Sequence, residues 1–199
     1  MKKLFLGVSF FFNMALAAMA TETDRLVLRQ WQEGEADKLF TMLQKPEVNH
    51  YLQVFNIAKR ENVDSLVNRG TQSINANGYG YFACEEKQSG EFIGYVGLNY
   101  IPIQEKPFPC FTLSWVLDST SWGKGYATEA AALLIKLAFD KFGIEELCAC
   151  TVELNEKSRK VMERIGMKYK SSFDFPGIDT NHPHCKHVLY SITKNDNIK

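Results

Sequence analysis

Between Ser114 and Ala130 the chain changes character within a short stretch, and this constrains the fold more than any other feature. Ser114-Trp115-Val116-Leu117 is apolar and aromatic, Asp118 to Lys124 is polar and carries a glycine, and Ala127 to Phe142 repeats apolar residues at helical spacing. Ala127, Ala130, Ala131, Leu134, Leu137 and Ala138 form one broad face of that helix, and Gly143 stands where it should end. A buried strand that feeds a glycine loop and then a helix N-terminus points to a sheet with helices packed on it.

The remaining pattern agrees. Arg25 to Trp31 alternates as a first strand, Gly34 to Gln44 and Asn62 to Ile74 have helical spacing, and Pro46 stops the first helix. Strands are expected at Tyr79–Glu86, Phe92–Tyr100 and Phe111–Leu117, with a hairpin turn at Gln88–Glu91 and a loop marked by Pro102, Pro107 and Pro109. Leu147 to Leu154 reads as a buried strand and Asn155 to Ile165 as a helix closed by Gly166. Met167–Phe173 and His187–Thr193 are the final strands. The fold class is α/β (α+β), a mixed sheet with helices on its faces. No repeat or linker divides the chain, so residues 21–199 are expected to form a single domain.

Lysine plus arginine and aspartate plus glutamate each number 23, for zero formal net charge. Such a balance disfavours a non-specific nucleic-acid coat, which needs a basic excess to displace counterions. Lys2 and Lys3 are the only charges in residues 1–20, so the rest of the chain is slightly acidic. They precede apolar Leu4–Phe12 and Met14–Ala20, and Ala18-Met19-Ala20 is a small-residue cleavage pattern, as in a secretory signal peptide. Asn13 interrupts the run, which weighs against a membrane span. The competing reading is a mis-started extension, with Met19 as the true initiator.

The five cysteines, Cys84, Cys110, Cys148, Cys150 and Cys185, are odd in number and irregularly spaced, a poor disulfide framework. Reduced, mostly buried thiols favour a reducing compartment.

Helix N-termini present unpaired N–H groups and the positive end of the dipole, and glycines admit a phosphate close to them. The loop before Ala127 is thus suited to a pyrophosphate. It is not a Walker A loop, because no glycine stands at the motif's first position and Gly125 follows Lys124 where a serine or threonine belongs. Neither is it a dinucleotide fingerprint, since Thr128 replaces the third glycine.

Trp122-Gly123-Lys124-Gly125-Tyr126-Ala127-Thr128-Glu129-Ala130 resembles the acetyl-CoA loop of GNAT-superfamily N-acetyltransferases, in the branch of the ribosomal-protein-alanine acetyltransferases. Thr23 to Arg29 resembles the first strand of that branch. Asn155 to Met167 resembles its N-x-x-S…G-F helix and turn, and His182-Pro183 with His187 to Tyr190 its C-terminal strand. The four segments stand in the family's order and cover about Thr21 to Thr193.

The resemblance implies a mostly antiparallel sheet splayed between its fourth and fifth strands, with helices on both faces. It implies acetyl-CoA as co-substrate, a primary amine acceptor (a protein N-terminus or a small molecule), no metal and a cytoplasmic setting, where acetyl-CoA is kept. It also implies no membrane association in the mature form, no direct nucleic-acid binding, and a monomer or homodimer. Backbone of Trp115, Val116 and Leu117 would pair with the pantetheine arm. Amides of Gly123, Lys124, Gly125, Tyr126, Ala127 and Thr128, preceded by Trp122, would hold the pyrophosphate. Asn155 and Ser158 would meet the arm, Ser158 near the thioester sulfur. An N–H near Val116 or Leu117 would polarise the acetyl carbonyl.

Two positions depart from the family. Met162 stands where a tyrosine often serves as general acid, leaving Ser158 as the nearest substitute. Thr112 stands where a glutamate is often found. The general base is left among Glu153, His187 and Glu129. These departures keep a rival reading open, an acyl-CoA-binding module without turnover.

His182, His184, Cys185 and His187 crowd together, but their spacing is not that of a structural zinc site. The basic run Lys157, Arg159, Lys160, Arg164, Lys168 and Lys170 reads as a solvated helix face, one member of which would touch the cofactor. Tyr51 and Phe55 are expected to face the acceptor, whose specificity falls to the loops Asn49–Lys59, Pro102–Pro109 and Phe173–Lys186.

Overall fold

A computed structural model describes residues 20–103 and 107–196. The expectations for residues 1–19, and for the middle of the loop between Pro102 and Pro109, lie outside the described residues.

The chain enters through β1 (Thr21–Glu22) and β2 (Leu26–Arg29). It continues through α1 (Glu35–Leu43), α2 (Pro46–Asn49), a 3-10 turn at Gln53–Phe55 and α3 (Arg60–Asn77). Strands β3 (Tyr81–Glu86), β4 (Glu91–Ile101) and β5 (Cys110–Leu117) follow. A 3-10 turn at Ser119–Ser121 leads into α4 (Tyr126–Asp140). The chain ends with β6 (Glu146–Val152), α5 (Glu156–Arg164), β7 (Lys168–Asp174) and β8 (Lys186–Thr193). These form one sheet in the order β1-β2-β3-β4-β5-β6-β8-β7. Every neighbouring pair is antiparallel except β5 and β6.

Two elements went unread in the sequence. The strand β1 is too short to show alternation. Pro46 does stop α1, but it also opens α2 as its first residue, where a missing N–H costs nothing. The first strand is shorter than its alternation suggested, because Trp31 turns inward and its indole N–H donates to the Tyr81 carbonyl at 2.7 Å.

Alternation divides the sheet into two faces. Leu26, Leu28, Val96, Leu98, Leu113, Leu117, Leu147, Val188 and Ile192 pack with Leu134, Ile135 and Met162 of α4 and α5. On the other face Tyr95 and Val116 pack with Leu39, Leu43, Val63 and Leu66 of α1 and α3. Burying one such aliphatic side chain contributes about 1.5–3 kcal/mol, so each helix is held chiefly by its apolar stripe. Arg29, whose Nη2 lies 2.7 Å from both Glu35 and Glu85, ties β2, α1 and β3 together.

The pairing of β5 is lopsided. It matches β4 along its whole length, from Gly94↔Leu117 to Ile101↔Cys110. Against β6 it matches only at Thr112↔Cys148. Beyond that point the two parallel strands separate, and a gap opens toward their C-terminal ends.

Candidate active site

The Asp118 amide donates to the Ile93 carbonyl at 2.9 Å. In an antiparallel ladder, successive residues direct their backbone groups to alternate sides. Val116 therefore serves β4, while Trp115 and Leu117 direct their N–H and C=O groups to the gap. The Leu117 carbonyl already accepts from the Trp122 indole N–H at 2.8 Å. Among the three residues expected to meet the pantetheine arm, Trp115 and the Leu117 N–H are thus placed on the open side.

The loop closes the same end of the gap. Gly123 and Gly125 take φ values of +76° and +85°, a region open to glycine and strained for other residues. A Cβ built on Gly123 would meet no atom within 4 Å, and one on Gly125 only the Arg25 guanidinium at 3.5 Å. Gly125 is the N-cap of α4, and no side chain caps that end. The first amides of α4, those of Tyr126, Ala127 and Thr128, thus border open space with the positive end of a helix behind them. Three cations surround this place. Arg25 and Lys124 lie 4.8 and 5.7 Å from the Tyr126 ring, and Lys157 lies 4.3 Å from the Trp122 ring. An open cradle of glycines and free amides, flanked by cations, fits a pyrophosphate.

Contacts distant in sequence hold the loop, and sequence reading missed them. Arg25 pairs with Glu129 at 2.5 Å and donates from Nη1 to the Lys124 carbonyl at 2.9 Å. Lys45 pairs with Asp118 at 2.6 Å, and Ser119 donates to Glu47 at 2.9 Å. No local signal links partners so far apart in the chain.

Glu129 also accepts from the Thr23 hydroxyl at 2.5 Å and the Arg25 amide at 3.0 Å. Burial works to raise its pKa, but these hydrogen bonds and the Arg25 charge outweigh burial and hold it below the ordinary carboxylate value. A carboxylate so engaged is a brace for the loop and a poor proton acceptor. Glu129→Ala is expected to cost about 1 kcal/mol, discounted because Arg25 is half exposed. Thermal melts of the variant should show that loss as a lower Tm.

Across the gap, Asn155 caps α5. Its Oδ1 accepts from the Ser158 amide at 3.3 Å and its Nδ2 donates to Thr151 at 3.0 Å. Half of its hydrogen-bonding capacity is left for a ligand. Ser158 is half-buried in the first turn of α5, and its hydroxyl makes no hydrogen bond among the described residues. Met162 is buried in the core beneath, and Thr112 donates to the Asn99 carbonyl at 3.3 Å.

The remaining predicted residues gather on the face opposite α4 and α5. Val152↔His187 pairs across β6 and β8, which places both side chains on that face. Glu153 follows in the turn after β6, partly exposed, its amide donating to the Lys186 carbonyl at 2.9 Å and its carbonyl accepting from Arg159 Nη1 at 3.2 Å. His187 is 1% exposed, packed by Phe175 and Phe55 at 4.8 and 5.8 Å between ring centroids. Its Nδ1 lies 2.9 Å from the Cys185 carbonyl, so Nδ1 carries the proton and Nε2 the lone pair. Burial pushes its pKa below 6.5, partly offset by that carbonyl and reinforced by nearby His184. Phe55 is 39% exposed, and Tyr51 donates to the Leu154 carbonyl at 3.0 Å. Tyr51 also touches His50 and His184, joining the segment after α2 to the β7–β8 loop.

Among the described residues, no group of three or more His, Cys, Asp or Glu side chains is placed to hold a metal. Among the same residues, no helix is long and apolar enough to cross a membrane.

Comparison with known proteins bears on this arrangement. The family described as the acetyltransferase (GNAT) domain matches residues 25–168, well over half of the chain. An uncharacterized protein, YkkB, of Bacillus subtilis is 27% identical over 151 residues, 75% of this chain and 86% of its own. A crystal structure of an acetyltransferase from Agrobacterium tumefaciens superposes with a TM-score of 0.69 at 22% identity, covering 98% of this chain and 99% of that one. The ribosomal-protein-S5-alanine acetyltransferase of Vibrio fischeri superposes with a TM-score of 0.68 at 20% identity, covering 88% and 97%. These two likenesses concern the fold, and it is the fold expected from the sequence. The chain belongs to the GNAT acetyltransferase family, and it is an acyltransferase.

Proposed function

We propose that this protein binds acetyl-CoA along the open sides of β5 and β6 and transfers the acetyl group to a primary amine. The observation that carries the reading is the gap beyond Thr112↔Cys148, which ends on the uncapped N-terminus of α4. Acetyl-CoA supplies an activated acyl group as a thioester. Amides of Gly123 to Thr128 hold its pyrophosphate, with Arg25, Lys124 and Lys157 balancing charge. Backbone groups of Trp115 and Leu117 extend the sheet to its amide arm, and Asn155 meets the arm from the β6 side. The Leu117 N–H directed into the gap is the donor best placed to polarise the carbonyl.

Direct attack forms a C–N bond and breaks the C–S bond. The amine arrives as an ammonium with a pKa near 10 and must lose a proton first. Of the three candidate bases, Glu129 is committed to Arg25, and Glu153 lies in the turn beyond β6 beside the Arg159 charge. His187 is left, and its Nε2 lone pair is available at neutral pH because burial disfavours the imidazolium. The proton passes to Nε2, and the departing sulfur is protonated from the Ser158 side of the gap.

The test is His187→Gln. Turnover is expected to fall about 100-fold or more, with acetyl-CoA affinity unchanged. In the parent enzyme, the acidic limb of the kcat profile should lie below pH 6.5, since the base is lost only when His187 is protonated. Unchanged turnover in His187→Gln excludes this residue as the base. The acceptor amine is read as a protein N-terminus or small molecule entering past Tyr51 and Phe55.

A further inference from the structure

The loop between β7 and β8 contains a hydrogen bond that exists in one protonation state only. The His184 amide donates to His182 Nδ1 at 3.0 Å, so that nitrogen carries a lone pair and the ring proton sits on Nε2. The surrounding turn depends on the same residue. The His182 amide donates to the Asp179 carbonyl, and the Cys185 amide to the His182 carbonyl, each at 2.9 Å.

His184 wedges this turn against the segment after α2. It is 8% exposed, and its ring centroid lies 5.2 Å from that of His50 and 5.5 Å from those of Tyr51 and His182. Its Nδ1 is buried and makes no hydrogen bond among the described residues, so a proton added there would be a buried charge without an acceptor. Burial first, then nearby His50 and His182, hold its pKa below 6.5. The other titratable and charged groups around the turn are already engaged. The Tyr51 hydroxyl donates to the Leu154 carbonyl, and the Asp179 carboxylate accepts from the Asn181 amide at 2.9 Å. Lys186 stands opposite Asp174 across β8 and β7, and His187 donates to the Cys185 carbonyl. The charges that bear on His184 are those of His50 and His182, of the same sign as its own, so acid sets like charges against one another.

We propose that this cluster is a proton-sensitive latch: neutral His182 holds the β7–β8 loop against His50 and Tyr51, and a proton taken up at His182 Nδ1 releases it. Protonation puts two N–H donors face to face where one hydrogen bond stood. The latch is therefore closed while His182 is neutral and opens as pH falls through the range where imidazoles titrate. Its effect reaches the far end of the loop. The Cys185 carbonyl accepts from the Phe175 amide at 3.0 Å and from His187 Nδ1 at 2.9 Å. The turn that His182 closes thus also positions the carbonyl that sets the His187 tautomer, and it fixes the β7–β8 wall beside Tyr51.

The latch is independent of the acetyl-transfer reading and is tested without an acceptor. Hydrogen exchange of the full chain is followed by mass spectrometry at pH 7.5 and 5.0, with rates corrected for the intrinsic pH dependence of amide exchange. In the parent chain, protection of fragments spanning Asp179 to Cys185 is expected to fall at least about fivefold at the lower pH, the loss of one hydrogen bond, while fragments from β3 and β4 keep theirs. His182→Asn places an oxygen acceptor close to where Nδ1 stands, and that oxygen does not titrate. Its loop should stay protected at both pH values. His182→Ala, with no acceptor, should be poorly protected at both. Parent protection that does not change with pH would overturn the proposal. So would a loss of the same size in His182→Asn, or a loss shared by the β3 and β4 fragments, which would be unfolding of the whole chain. The parent chain and the β3 and β4 fragments carry the result even where a variant folds poorly.

Discussion

Gly123→Asp is expected to abolish useful acetyl-CoA binding, raising Kd by at least about 100-fold, or about 2.8 kcal/mol. Gly123 sits in the left-handed region with open space over its Cα. An aspartate there would send its carboxylate into the space before the first amides of α4. It would satisfy those donors itself and repel a pyrophosphate brought to the same place. The fold should survive, because aspartate tolerates this backbone region better than most residues and nothing crowds the position. Gly123→Ala adds the strain without the charge and should keep most of the affinity. Calorimetry on the two variants separates charge from conformation. Near-parent affinity in Gly123→Asp would move the pyrophosphate away from this loop.

The second large effect lies in β4. Gly94 has φ +133°, and a Cβ there would stand 2.2 Å from the Val116 carbonyl and 2.8 Å from the Leu117 Cα. Both obstacles are backbone, so no side chain can swing aside. Gly94→Ala should destabilise the protein by about 3 kcal/mol or more, a fall in Tm on the order of 10 °C for a chain of this size. The same displacement moves Trp115 and Leu117, whose backbone borders the gap, so acetyl-CoA affinity should fall even where the variant remains folded. A melt within a degree or two of the parent would show that β4 and β5 are less closely apposed than described.

Local patterns carried much of this arrangement in the sequence. The run from Ser114 to Ala130 announced strand, loop and helix in order, because apolar periodicity and glycine placement are local properties. The helix from Asn155 was legible for the same reason, and Asn155 does cap it. What stayed hidden depends on residues far apart in the chain. Arg25 with Glu129, and Lys45 with Asp118, meet only because β2 and α2 are brought to the loop by the packing of the whole sheet. The three candidate bases looked alike in sequence. Burial among aromatic rings separates His187 from Glu153, which lies in a turn beside Arg159, and an ion pair removes Glu129. Gly94 did carry a signal, since a glycine inside a strand often marks a close backbone approach, but its partner strand could not be named before the register was known. Met162 and Thr112 were legible as departures from the family. Their places, one in the core and one bonded to a β4 carbonyl, leave proton transfer to other groups.

The proposed reaction is acetyl transfer from acetyl-CoA to a primary amine. Its most direct measurement follows release of the CoA thiol, with mass spectrometry of the acceptor. The acceptors are N-terminal peptides of ribosomal proteins, polyamines and aminoglycosides. The expected result is release that depends on at least one acceptor, one acetyl group gained on its amine, and loss of both signals in Gly123→Asp. Tight acetyl-CoA binding with no acceptor-dependent release across the panel would contradict it and favour a binding module without turnover.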